Sequence, residues 1–291
     1  MPMLRAIIKL ARPTHWLKNG VVLAALVFAG ELAHIEMVGV AFAAVAIFCL
    51  VSSGVYTLND YVDRERDRLH PIKRNRPLAA GTVPPTVAVV MILVMWGIGF
   101  TVAYMISLSL LTIAMAYALL NILYSFSLKN IVILDVMTIA VGFVLRAYAG
   151  AVAIEVPASK WLIINTMLLA LFLGFGKRRH ELVHVQGAES HRTILSRYSP
   201  YLLDQLIGIV TASVVVVYML YTFSAEVRDK LGTDYLFVTI PFVLYGVFRY
   251  LYLIHKEEGG GSPTRVLITD RPILFDVSLW LLTVVIVLYV L

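Results

Sequence analysis

The stretch NDYVDRERDRLH, residues 59–70, sets an amide and three aspartates, Asn59, Asp60, Asp63 and Asp67, at regular intervals in a mainly apolar chain. On a helix, Asn59, Asp63 and Asp67 stand at i, i+4 and i+8. They form one stripe with steps of about 6 Å along the axis, flanked by Asp60. Carboxylates four residues apart repel one another. An oxygen-lined stripe that tolerates this suits a hard divalent cation, and Mg²⁺ commonly bridges a few carboxylates to substrate phosphates. Lys73, Arg74 and Arg76 follow directly in HPIKRNRPLAAG. Acids that hold a cation, followed by basic side chains, make a diphosphate site: metal on one side, charge-assisted hydrogen bonds on the other. A solvated helical extension, with Arg64, Arg66 and Arg68 neutralising the aspartates, carries the same letters.

The elements that position these residues are membrane spans. Of the 291 residues 60% are hydrophobic and 14% charged, and mean hydropathy is +0.86. That is too apolar for a soluble domain of this size. A bilayer core of about 30 Å takes roughly 20 residues as a helix. Counting on that rule predicts nine spans: about 17–33, 38–58, 86–105, 108–126, 131–154, 161–176, 201–223, 235–254 and 273–291. The fold class expected is an all-α bundle of nine transmembrane helices, one domain over residues 1–291. Arg5, Lys9, Arg12 and Lys18 gather at the N-terminus, and most other basic residues fall in alternate loops. That skew puts the N-terminus in the cytoplasm and the C-terminus outside. The N-terminal segment lacks a small-residue cleavage site and reads as a lead-in to the first span. Cys49, the one cysteine, excludes an internal disulfide and reads as a packed hydrophobe. His15, His34, His184 and His191 show no metal-like arrangement. The net charge of +6 follows from topology, and no nucleic-acid or nucleotide-loop motif is present.

NDYVDRERD resembles N-D-x-x-D-x-x-x-D, the first aspartate-rich motif of the UbiA-type intramembrane prenyltransferase superfamily. It follows the second span, as there, and RPLAAG is similar to the family's continuation. The resemblance implies a prenyl-diphosphate enzyme fold with Mg²⁺ held by Asn59, Asp60, Asp63 and Asp67, at the cytoplasmic face of the cell membrane. Typical members carry a second acidic motif after the sixth span. Here GFGKRRHELVHVQGAESHRTILSRYSP offers only Glu181 and Glu189 against Lys177, Arg178, Arg179, Arg192 and Arg197. That loop looks built for direct anion capture.

RPTHWLKN, NDYVDRERD, YSFSLKNIVILDV and GFGKRRHEL together look like the branch of the superfamily whose donor is phosphoribosyl diphosphate and whose acceptor is a polyprenyl phosphate. The resemblance implies transfer of 5-phosphoribose with release of diphosphate, a step toward a cell-wall arabinan precursor. Asp63 and Asp67 then act with Lys129 and Tyr124 in catalysis. Lys73 and Arg76 face the diphosphate, Lys129 and Lys177–Arg179 the ribose phosphate, and Lys18 the lipid phosphate; Asp135 positions Lys129. A phosphate acceptor is already ionised near neutral pH, so no general base is needed. Tyr124 reads equally well as an interfacial anchor.

Arg146 lies inside the fifth span, where a charge is costly and faces the bundle interior. It reads as structural, paired with Glu155 or a free carbonyl. Arg249 and His255 read as snorkelling, and residues 257–263 as a flexible connection. Small residues in VFAGELA and RAYAGAVA permit close helix contact and self-association. Two other functions fit parts of the sequence. A conventional prenyltransferase acting on an aromatic acceptor explains the acidic motif but not the basic second loop. A transporter predicts ionisable residues near the midplane.

Overall fold

The computed structural model describes residues 2–69, 71, 73–184, 193–256 and 263–290, and among them all regular structure is helical. Within lipid no water can satisfy a backbone amide, so apolar segments of this length must close their hydrogen bonds internally. Eight helical segments are long and apolar enough to cross a membrane. Residues 257–262, most of the expected flexible connection, lie outside the described residues, as do Glu189, His191 and Arg192.

The chain divides into two compact units. The first comprises residues 1–26 and 34–158. It holds α1 (Pro2–Ala11), α3 (Ile35–Val62), α4 (Arg64–Leu69), α5 (Pro85–Ile106), α6 (Leu108–Phe126) and α7 (Leu134–Ala153), and most of the segment that precedes α3. Its core gathers Val22, Phe48, Val51, Leu110, Tyr117 and Ala149. Ser107 alone separates α5 from α6, and its hydroxyl accepts from Leu110 N at 3.1 Å to cap α6. The second unit comprises residues 27–33 and 159–291. It holds α8 (Lys160–His184), α9 (Pro200–Phe223), α10 (Ala225–Leu231), α11 (Ile240–His255), α12 (Pro263–Thr269) and α13 (Arg271–Tyr289). A 3₁₀ turn over Tyr235–Thr239 extends α11 to span length. Asp270 caps α13 through Ile273 N and is held by Arg249, whose hydrogen bond keeps its carboxyl below the usual value. Arg249 is thus an ion-pair partner as well as an edge residue.

The first expected span departs most from expectation. Residues 17–33 form no single helix: a 3₁₀ helix runs from Pro13 to Leu23, a five-residue helix, α2, covers Ala24–Phe28, and the chain turns at Gly30 with φ +84°. The cause is tertiary. In a 3₁₀ helix residues three apart eclipse, so Trp16, Asn19 and Val22 share one edge. Trp16 donates to Ser53 Oγ at 2.9 Å, and Asn19 donates to Ser52 Oγ and Cys49 Sγ, both at 3.3 Å. The Val22 carbonyl lies so close to Gly150 on α7 that a Cβ there would meet its oxygen at 1.9 Å. An α-helical period would rotate these three residues off a common edge. Cys49 is accordingly a weak acceptor as well as packing.

The Val22–Gly150 contact generates a test. Gly150→Ala must push the Val22 carbonyl away and lower stability by about 2 kcal/mol or more. Gly97→Ala, in α5 with nothing near its Cβ position, should be neutral or slightly stabilising. Thermal unfolding of the purified protein in detergent checks both.

Candidate active site

The acidic stripe forms, with one irregularity. Helix α3 ends at Val62, and Asp63 takes φ −88°, ψ 4° before α4 begins. The backbone ladder nevertheless continues, with Asp63 N bonded to Asn59 O at 3.0 Å and Asp67 N to Asp63 O at 2.8 Å. The four-residue register of Asn59, Asp63 and Asp67 therefore survives the break.

Each acid meets a cation from elsewhere in the same unit. Asp60 is only 2% exposed and accepts from both Arg12 and Arg76, the latter at 2.9 Å. The same Arg76 nitrogen reaches Asp67 at 2.7 Å, and Asp67 is 4% exposed. Lys129 donates to Asp63 at 2.7 Å. Asn59 Oδ1 accepts from Ser125 Oγ at 3.3 Å, and Ser125 in turn donates to Asn121 O at 2.9 Å. Arg64 and Arg68, by contrast, both bind Glu65, and the Arg64 hydrogen bond holds that carboxyl below its usual value. The solvated-extension reading fails on this point: Arg64 and Arg68 serve Glu65, while the aspartates meet cations from outside α4.

Two of the cation-bearing segments are strained. Arg12 adopts the left-handed region, φ 53° and ψ 58°, immediately before Pro13. Its guanidinium also lies 5.3 Å from the centre of the Tyr56 ring. Ile133, between Lys129 and α7, has φ +70° and ψ −47°, an uncommon conformation for a β-branched residue. Asp135 is fully buried in the first turn of α7, and Tyr124 is half-buried near the end of α6. Lys73 opens a 3₁₀ turn over Lys73–Asn75, whose Asn75 carbonyl accepts from Lys9 at 3.3 Å. Lys18 is half-buried in the Pro13–Leu23 segment.

The basic run of the second unit is spoken for within that unit. Arg178 is 1% exposed and bound to Glu181; Lys177 lies 3.7 Å from the same carboxylate. Arg179 pairs with Asp204 at the start of α9 and also reaches Ile254 O. Arg179 thereby ties α8 to α9 and to the end of α11, whereas Lys177 and Arg178 pair with Glu181 inside α8, which loop composition could not reveal.

Sequence reasoning counted Arg12 only as a positive-inside charge and missed Asn121 and Ser125. The signal for Arg12 was its place before Pro13, a position disfavouring helix. For Ser125 it was the i+4 spacing from Asn121 on the face that meets Asn59.

The donor set fits Mg²⁺. Among the described residues no three acidic or histidine side chains close into a metal cage. Mg²⁺ does not ask for one, since it keeps several waters and takes one or two carboxylates plus substrate phosphates. Asn59, Asp63 and Asp67 offer oxygen donors on one stripe for that purpose.

Residues 20–269 match the UbiA prenyltransferase family. The chain is 32% identical to a decaprenyl-phosphate phosphoribosyltransferase of Mycolicibacterium smegmatis, across 96% of this chain and 91% of that one. It is 31% identical to the protein of that name from Corynebacterium glutamicum, across 97% and 86%. The fold superposes on a UbiA homologue from Archaeoglobus fulgidus solved bound to GPP and Mg²⁺, with a TM-score of 0.72 at 17% identity, covering 98% of this chain and 100% of that one.

The geometry separates a structural acid from its neighbours. Asp60→Ala strands two arginines and should cost about 3 kcal/mol, read as a fall of several degrees in the unfolding midpoint. Glu65→Ala, on the exposed side of α4, should leave the midpoint unchanged.

Proposed function

The chain belongs to the UbiA prenyltransferase family, and from that premise we propose that it transfers 5-phosphoribose from phosphoribosyl diphosphate to a polyprenyl phosphate, releasing diphosphate. The observation that carries this reading is the interleaving of the acidic stripe with Arg12, Arg76 and Lys129 in one unit. The near-full-length likeness to decaprenyl-phosphate phosphoribosyltransferases supports the choice of donor and acceptor. The product is a lipid-linked phosphoribose of the kind an arabinan precursor pathway would consume.

Asn59, Asp63 and Asp67 would hold Mg²⁺, and Asp60 anchors Arg12 and Arg76. When bound, Mg²⁺ supplies positive charge to the diphosphate oxygens. As the C1–O bond breaks, negative charge grows on the leaving diphosphate and the ribose takes on oxocarbenium character. Arg76, Lys73 and Lys129 stabilise the departing charge through hydrogen bonds. The ionised acceptor phosphate attacks C1 directly, so no side chain need remove a proton. Tyr124 hydrogen-bonds a phosphate or ribose oxygen in this reading. Asp135 supports the Lys129 loop from the first turn of α7. Lys18 is assigned to a substrate phosphate, and Lys177, Arg178 and Arg179 are anion-binding candidates of the second unit.

We read residues 1–291 as one transmembrane domain, since the family match runs through both units. The Pro13–Phe28 segment serves as a ninth crossing. Its 11-residue 3₁₀ portion advances about 2.0 Å per residue, so that with α2 it covers close to 30 Å. Nine crossings keep the N-terminus and the acidic cluster at the cytoplasmic face of the cell membrane, and the C-terminus outside, as the Lys/Arg skew requires.

Purified protein in lipid with Mg²⁺, given polyprenyl phosphate and labelled phosphoribosyl diphosphate, should yield labelled lipid. Asp63→Ala should lower that yield by about 100-fold. Label appearing only with a prenyl diphosphate and an aromatic acceptor would replace this reading by a conventional prenyltransferase.

A further inference from the structure

The 3₁₀ register that places Trp16, Asn19 and Val22 on one edge places His15 and Lys18 on the next, after Arg12, which precedes the helix. Arg12 ends on Asp60, and the His15 ring meets Tyr56 edge-on, with centroids 5.1 Å apart. Lys18 continues this row inward. It stands four residues before Val22, and Arg146 stands four before Gly150, the glycine that Val22 touches. The two cations therefore come level, and the Lys18 ammonium feels the positive charge of Arg146.

Arg146 is buried, 4% exposed, about 18 Å along α7 from its first residue. Sequence reading expected Glu155 or a carbonyl as its partner. Instead it donates to the Tyr117 hydroxyl and lies over two rings, 4.7 Å from the centre of Tyr117 and 5.0 Å from that of Phe143. Its Nε has no partner. Among the described residues no carboxylate pairs with Arg146 or with Lys18. Two neighbouring cations without an anion, one of them almost wholly buried, are costly in a membrane protein unless something arrives to neutralise them. Packing alone, a cation held by aromatic faces, accounts for the rings but leaves Nε and the like-charged neighbour unexplained.

We propose that Lys18, Arg146 and Tyr117 form a buried receptor for a phosphate monoester dianion, separate from the acidic stripe. This deepens the proposed function and rests on it for the identity of the ligand. Both substrates carry such a group: the 5-phosphate of the sugar donor and the terminal phosphate of the lipid acceptor. The charges fit either. The dianion meets two positive charges, the fork of Arg146 presents Nε to it, and the Tyr117 O–H donates a third hydrogen bond. The site thus fixes one end of a substrate while the stripe holds the diphosphate.

The test uses Lys18→Gln, Tyr117→Phe and the charge-conserving Arg146→Lys, each first checked for an unchanged unfolding midpoint. Steady-state kinetics should show KM rising at least tenfold for one substrate and staying within twofold for the other. A rise for polyprenyl phosphate assigns the site to the lipid, and a rise for phosphoribosyl diphosphate assigns it to the sugar. In parallel, ribose 5-phosphate and a short-chain polyprenyl phosphate are each added to the protein without the second substrate. One of them should raise the unfolding midpoint of the native protein, and the rise should vanish in Lys18→Gln. This arm stands even if the native protein makes no product, an outcome that would sink the functional reading alone. Unchanged KM for both substrates, or thermal shifts that survive Lys18→Gln, would overturn the receptor.

Discussion

The carboxylate of Asp60 is the point on which the first unit turns. It is shared by Arg12, from the chain's opening segment, and Arg76, from the turn after α4, and Arg76 passes the same nitrogen on to Asp67. One buried acid thus ties together the entry of the chain, the end of α3 and the loop beyond α4. Buried ion pairs repay their desolvation only when every charge is well hydrogen-bonded. Here the second arginine supplies what one alone could not. Asp60 is better understood as the fixed post of the cluster than as one more ligand.

Around that post the other acids keep cations that they can exchange. Asp63 holds Lys129 and Asp67 holds Arg76. The like-charge repulsion along the stripe, a cost when acids repeat every fourth residue, is cancelled in this arrangement. In the proposed reaction Asp63 and Asp67 would turn to the metal and Lys129 to a phosphate, while Asp60 keeps Arg12 and Arg76.

Much of this was legible. The stripe could be read from the four-residue spacing of Asn59, Asp63 and Asp67 because helical geometry leaves that spacing one outcome, and the backbone kept it even through the break at Asp63. The span starts expected near 108 and 201 fall within one residue of the helix starts at Leu108 and Pro200, where Ser107 and Ser199 supply the caps. What could not be read depends on distant contacts. Residues 17–33 are apolar enough to pass for a span, and only the hydrogen bonds to Ser52 and Ser53 and the approach to Gly150 turn most of them into a 3₁₀ helix. Arg178 and Arg179 have the composition of an anion site, yet Glu181 and Asp204 claim them. Charge counts record how many cations a loop has and say nothing of which are already engaged.

The backbone at Arg12 and at Ile133 has a further consequence. Conformations of this kind cost about 1–3 kcal/mol each and persist only where the surroundings impose them. Neither segment would adopt its shape in an isolated hairpin of newly inserted helices. The Arg12 bend needs Asp60 and Tyr56 in place, and the turn at Ile133 needs α6 and α7 docked. Both bends therefore depend on the packed first unit, and the cations of Arg12 and Lys129 meet Asp60 and Asp63 only where its helices have docked.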